Sequence, residues 1–397
     1  MAIVRAYGKP TLFITITATS DWDEIKNSLA PGEQSTDRPD IVARAFEQRV
    51  QALIDEIVKD KIFGTVIAHY GIEEWQKRGL PHFHWLATMH PDDVPKTPED
   101  YDRIVSAEIP DKKKNPILYE LVRKYMVHGP CNAKSPCCQN DKKECEKKFP
   151  KNYQTHTTVS ENGAVTYRRK SPQEGGHTLM KQMKGENLPI KIGNQFIVPY
   201  NPYLLLRYRC HLNVEIVNTV KTTKYIHKYQ HKGPDRSHAE IQDKNNEVKN
   251  FVQGRYFCSS QAAHHLLGFP LKRRYPPVLK LMFHLPDEQS VLFDDHDNID
   301  VVLARGSRTM LTEFFRLNQE DEFARKILYP DLPRWYTWSD NTWKKRQKRT
   351  NSLYQATNDK DSPMSDTIGR IPTVALNPKT KELFMMRHLL YQVCIDF

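Results

Sequence analysis

Apolar and polar positions alternate with a period of two near the N-terminus. Leu12-Phe13-Ile14-Thr15-Ile16-Thr17 puts apolar side chains and threonines on alternate sides and predicts a strand. Phe63 to Tyr70 predicts a second strand, running on through Glu74, Trp75 and Gln76 to a turn at Arg78-Gly79. Pro81-His82-Phe83-His84-Trp85 then returns beside it. Between these strands the period changes to that of a helix, with Ile41, Ala45, Val50, Leu53, Ile54 and Ile57 on one face of residues 40–58. Strand, helix and hairpin in this order predict an α+β fold with an antiparallel central sheet and flanking helices.

Farther along, residues 115–128 read as a helix and Thr157 to Arg169 as a hairpin turning at Asn162-Gly163. Ile197 to Pro202 reads as the end of a strand. Asn218 to Lys232 reads as a helix closed by Gly233-Pro234, followed by a polar linker over 235–249. Ser259 to Leu267 and Met310 to Asn318 predict helices, and Val278 to Leu285 a strand. The basic run 344–349 suits a solvated face or a phosphate contact. Four parts are expected. Residues 1–114 form an N-terminal part carrying the histidine strand, and 115–170 a Cys/His-rich insertion. Residues 171–250 form a part carrying the tyrosine helix, and 251–397 a mixed C-terminal extension.

The 397 residues are 39% hydrophobic, enough for a sizeable core, and carry a net charge of +11 that favours a polyanionic partner, nucleic acid above all. No apolar run reaches membrane-spanning length, and the first residues lack a signal-peptide core. No membrane partner and an intracellular location are expected. No phosphate-loop pattern occurs, so no nucleotide-driven motor is encoded here. Seven cysteines are too few for a disulfide scaffold of this length.

Three groups of residues carry chemistry. On a strand, His82 and His84 project together while Phe83 and Trp85 turn to the core. Two imidazoles leave positions open for Glu74 or Gln76 of the preceding strand and for a phosphate oxygen, which suits magnesium or manganese. Tyr225 and Tyr229, four residues apart, share a helix face, flanked by Lys224, Lys228 and Lys232. A tyrosine hydroxyl titrates near 10, so as a nucleophile it needs a metal or cation beside it. His128, Cys131, Cys137 and Cys145 supply one imidazole and three thiols, the donor set of structural zinc, with Cys138 as a spare thiol or an alternate ligand.

Taken together, these segments resemble the replication-initiator (Rep) domain of Helitron transposases, the Helitron helicase-like domain. The resemblance runs in order over nearly the whole chain. It includes Gly8-Lys9-Pro10-Thr11-Leu12-Phe13-Ile14-Thr15, Arg38-Pro39-Asp40-Ile41 and Glu74-Trp75-Gln76-Lys77-Arg78-Gly79-Leu80-Pro81-His82-Phe83-His84. His128-Gly129-Pro130-Cys131, His211-Leu212-Asn213-Val214-Glu215 and Lys224-Tyr225-Ile226-His227-Lys228-Tyr229 follow. It implies an HUH endonuclease fold in which His82 and His84 hold a metal. Tyr225 and Tyr229 would be nucleophiles, and Lys228, with Lys232, would neutralise the phosphate.

The implied activity is cleavage and rejoining of single-stranded DNA through a 5′-phosphotyrosine, as in rolling-circle replication, in a nuclear location. Lys224, Lys232 and Arg78 are the expected strand contacts. The family's proteins begin earlier and continue into a helicase, so a piece truncated at both ends is expected, with a helicase domain in trans as a further partner. Gln261 and His264 depart from the family's Glu-Ala-then-Trp pattern, which suggests drift. Two alternatives stay open: an inactive remnant that binds single strands through basic residues and aromatics such as Trp75 and Trp85, and an accessory module of a helicase.

Overall fold

The computed structural model describes residues 2–75, 79–131, 135–138, 144–161, 163–182, 188–217, 258–286, 288–289, 308–349 and 363–392. The chain divides into two compact units, a larger one over Lys9–Arg273 and a smaller one made of Met1–Gly8 and Arg274–Phe397.

The larger unit is built on an antiparallel sheet. Its strands are β1 (Leu12–Thr17), β2 (Val66–Trp75) and β3 (Pro81–Met89). Two short pairs follow, β4 (Thr158–Val159) with β5 (Val165–Thr166) and β6 (Leu179–Lys181) with β7 (Ile190–Ile192). Then come β8 (Leu212–Ile216) and β9 (Lys272–Tyr275), whose first two residues belong to this unit. The order across the sheet is β8-β1-β3-β2-β9.

Register sorts the side chains into two faces. On one face Ile14 lies level with Trp85, Gly71 and Val214, and Ile16 with Phe83, Glu73 and Leu212. The helix Pro39–Val58 covers this side, with Val42, Ala45, Phe46, Val50, Leu53 and Ile57 buried in the shared core. Pro39 suits the helix start because its φ is already helical and its missing N–H is not needed there. Gly71 makes room for the rings, since a Cβ there would lie 2.1 Å from Phe83 Cζ.

Trp85 is fully buried and donates its indole N–H to His69 Nδ1 at 3.2 Å. It is a core residue and has no face to offer a DNA base, which corrects its expected role as a stacking platform. Gln261 and His264, on the helix Ser259–Leu266, are also buried, and His264 Nε2 lies 2.8 Å from Glu73 Oε2.

A second core holds Leu118, Tyr119 and Val122 of the helix Pro116–Tyr125 against Leu179, Ile192, Ile197 and Leu205. Here residues 197–202 differ from the strand expected. Ile197 and Tyr200 make single bridges to Val127 and Ser106. Asn201 then caps a helix, Pro202–Tyr208, accepting from the Leu204 N–H at 2.9 Å.

The smaller unit has its own core around Leu281, Phe314, Leu332, Tyr336 and Trp343. Strand β10 (Val278–Lys280) pairs in parallel with β13 (Ile368–Arg370), and β11 (Tyr336–Ser339) forms a hairpin with β12 (Thr342–Lys345). β10 is shorter than the sequence suggested. The helix Met310–Glu320 starts at Thr309, whose hydroxyl accepts from the Thr312 N–H. Lys344 pairs with Asp340, so the start of the basic run is a hairpin edge. No helix among the described residues is long and apolar enough to cross a membrane.

Candidate metal centre and Cys/His knot

The face of the sheet opposite the helix Pro39–Val58 carries the chemistry. Thr17, His82 and Glu74 lie level across β1, β3 and β2, and in the next row Asn213, Thr15, His84 and Ile72 do the same. The ladder alone therefore brings both histidines and Glu74 together. His82 and His84 are nearly parallel, with ring centroids 6.2 Å apart and planes at 10°. Thr17 Oγ1 lies 2.8 Å from His82 Nδ1, and Thr15 Oγ1 lies 2.9 Å from His84 Nδ1. When Nδ1 carries the proton and donates to the threonine, Nε2 presents the lone pair that a metal takes.

Two further observations fit a cation here. His82 Nε2 is buried without a hydrogen-bond partner, an uncommon state that a bound ion would relieve. His84 Nε2 lies 3.8 Å from Glu74 Oε2, so a carboxylate stands beside the imidazoles. Burial, helped by His84, His211 and Lys147, pulls His82 down to about 3. Burial and Lys147 pull His84 down to about 4. Both are neutral, as metal ligands must be, near neutral pH. Gln76 and Arg78 lie outside the described residues, as do Lys224, Tyr225, Lys228, Tyr229 and Lys232.

The histidines open into a cleft of about 1330 Å³ whose other wall includes Lys147, Lys148, Lys151 and Arg169. Arg169 is buried and donates to the carbonyls of Asn194 and Ile197 at 2.6 and 2.7 Å, so it braces the wall from within. Lys147 and Lys148 are exposed and can meet an anion. The cleft also contains His211, Asn213 and Glu215, which the motif reading left without a role. The alternation in Leu212-Asn213-Val214-Glu215-Ile216 was their available signal, with apolar residues buried and Asn213 and Glu215 facing the cleft. His211 holds the Tyr125 carbonyl through Nδ1 at 2.7 Å.

Beside the cleft, His128, Cys131, Cys137 and Cys145 bring their donor atoms within 4.8 Å of one another and could hold a metal ion. His128 Nε2 lies 3.3 Å from Cys131 Sγ, 3.3 Å from Cys145 Sγ and 3.7 Å from Cys137 Sγ. The Cys131 and Cys137 sulfurs are 3.4 Å apart. A tetrahedral zinc with ordinary Zn–S and Zn–N bonds has ligand-to-ligand edges of roughly 3.5–3.8 Å, so the set is close to that shape. Gly129 allows the tight turn from His128 to Cys131. Its φ is +84°, and a Cβ there would meet Cys131 N at 2.9 Å. Burial works against a Cys145 thiolate, but the backbone N–H groups of Phe149 and Lys147 point at its sulfur and hold the thiol below its usual range. Cys138 Sγ stands 3.9 Å from Cys137 Sγ as the spare thiol.

Behind the sheet, Glu47, Glu73 and His264 also converge. Arg273 pairs with both carboxylates, so a guanidinium already occupies the space between them and offsets part of their charge. That group is a buried ion-pair network tying β2 to its neighbours.

Residues 1–87 match the family model of the Helitron helicase-like domain at the N-terminus. The matched stretch contains β1, the helix Pro39–Val58, β2 and both histidines, and it ends before the Cys/His knot. No curated protein matches the chain.

Proposed function

We propose that the chain is a Helitron-type replication initiator that cuts and rejoins single-stranded DNA by an HUH mechanism. The observation that carries this reading is the row of His82, His84 and Glu74 on one sheet face, open to a cleft walled by lysines. The similarity of residues 1–87 to the Helitron helicase-like domain supports it.

His82, His84 and Glu74 would hold a divalent ion, magnesium or manganese, with Gln76 as a further candidate. When bound, such an ion polarises a non-bridging oxygen of the scissile phosphate. Thr15 and Thr17 fix the imidazole rings. A hydroxyl of Tyr225 or Tyr229 attacks phosphorus, the P–O3′ bond breaks, and the 3′ oxygen leaves with a proton. The 5′ end stays on the tyrosine as a phosphodiester of similar energy, so an incoming 3′ hydroxyl can reverse the step. Lys228 and Lys232 offset the charge on the phosphate, while Lys224 and Arg78 contact the strand. The knot holds zinc. Unwinding would come from a helicase domain in trans, and work on chromosomal DNA would place the protein in the nucleus.

The test is incubation of the protein with labelled single-stranded DNA, including Helitron-end sequences, and manganese, resolved on a denaturing gel. A protein-linked 5′ product is expected, lost in His82→Ala and in the Tyr225→Phe/Tyr229→Phe double variant. Binding with no adduct would instead favour the inactive single-strand-binding remnant.

A further inference from the structure

The Cys/His knot and the lysine wall are one piece of backbone. Cys145 is a knot residue, and Lys147 and Lys148 follow it at once. No helix or strand occurs from 144 to 157. The hydrogen bonds nearest Cys145 run into the knot, while Gln154 exchanges backbone hydrogen bonds with Arg169. Glu146 N–H donates to the Cys137 carbonyl at 2.8 Å, and Lys148 N–H to the Cys145 carbonyl at 2.7 Å. The Phe149 ring rests on His128, centroids 4.5 Å apart, and Lys151 Nζ sits 5.0 Å above the Phe149 ring while donating to the Lys147 carbonyl. The far end is pinned where Lys151 N–H meets the Gln195 carbonyl at 2.9 Å.

The opposite wall, by contrast, is a five-stranded sheet. One side of the cleft is therefore held by a ladder and a core. The other has no such ladder: past its bonds to Gln195 and Arg169, the stretch carrying Lys147 and Lys148 is tied to four donor atoms that only a cation would join.

We propose that metal binding at His128, Cys131, Cys137 and Cys145 sets the grip of the cleft on a single-stranded phosphodiester backbone, by holding Lys147, Lys148 and Lys151 opposite His82 and His84. This rests on the reading of the cleft as a phosphodiester site. The metal is zinc, from its donor set, and the ligand is the strand's phosphates, bound without regard to base. Loss of the ion, by chelation or by thiol oxidation, would release the strand while leaving the histidine face formed.

The experiment uses the full chain. Zinc content is measured by elemental analysis, binding of a fluorescent oligothymidylate by anisotropy across a salt series, and backbone protection by hydrogen exchange. The expected results are one zinc per chain and its loss in Cys145→Ser. The variant should also lose protection over 144–151 with β3 unchanged, and bind the oligonucleotide more weakly. Lys147→Ala/Lys148→Ala should keep its zinc and its protection. Its plot of log affinity against log salt should be shallower by roughly 1.4, two phosphates at about 0.7 each for a single strand. Zinc-free protein that binds the strand as tightly as the loaded form would overturn the proposal, as would a zinc-free wall with full protection. A loaded, ordered wall with no affinity for the oligonucleotide in the parent protein would instead sink the phosphodiester reading on which the proposal stands.

Discussion

The two walls of the cleft reach order by different routes. The histidine wall inherits its geometry from strand register. Thr17, His82 and Glu74 are level because β1, β3 and β2 pair as they do, and Phe83 and Trp85 anchor the same strand in the core behind. The lysine wall has no extended ladder and is tied by the four side chains of the knot, by a bond to Gln195 and by the Gln154–Arg169 bridge. A site built on a strand is preorganised before any ligand arrives. If the knot must be closed to order its wall, as proposed above, metal supply would act on one side of the cleft and spare the other.

The largest effect should come from the histidine wall itself. On the proposed mechanism His82→Ala removes a ligand nitrogen and should lower nicking by more than about 100-fold, beyond the range seen when only a supporting contact is lost. Single-strand binding, assigned to the lysines in the proposal, should fall far less. If binding by anisotropy and nicking on a gel fell together, the division between the walls would be wrong. Next, Trp85→Ala empties a fully buried site and should cost about 3–5 kcal/mol of stability, read from a denaturant melt. A near-neutral result would mean that the strand is not anchored from behind.

Thr17→Val keeps the shape beside His82 and deletes the oxygen on its Nδ1. Nicking should fall about 10–100-fold, with the knot's zinc unchanged, as for other groups that orient a metal-bound imidazole. The last effect is on stability against pH. His82 and His84 titrate at about 3 and about 4 in the fold, below the ordinary histidine value of 6.5. Between these values the unfolded chain binds more protons, so stability rises with pH there. The contribution is complete above 6.5 and is lost as pH falls toward 4. A His82→Ala/His84→Ala variant should show a flatter melting temperature over this window, and an unchanged slope would contradict the burial of the pair.

Much of the histidine wall was legible in the sequence because a period of two states both the strand and its faces. Leu12–Thr17 has the predicted bounds, and Glu74 stands opposite His82 as expected. Trp85 was readable as core and was also offered to DNA, and only its complete burial decides between these roles. The helix Pro202–Tyr208 is ambiguous in sequence, since a proline that can end a strand equally opens a helix after a capping asparagine. Cysteine clustering predicted the knot. Its position beside the histidines could not be read, since it depends on bonds from residues 128 and 151 to Phe196 and Gln195, distant in sequence and without a pattern. Glu73 and His264 meet across 191 residues for the same reason. The tyrosines, Gln76 and Arg78 lie outside the described residues and stand on the sequence alone.

The most direct test of the central claim is mass spectrometry of the protein after reaction with single-stranded DNA, nuclease trimming and proteolysis. The predicted result is a phosphonucleotide on the peptide containing Tyr225 or Tyr229, absent from His82→Ala. An adduct on another residue, or no adduct while the strand is bound and the knot is loaded, would contradict it.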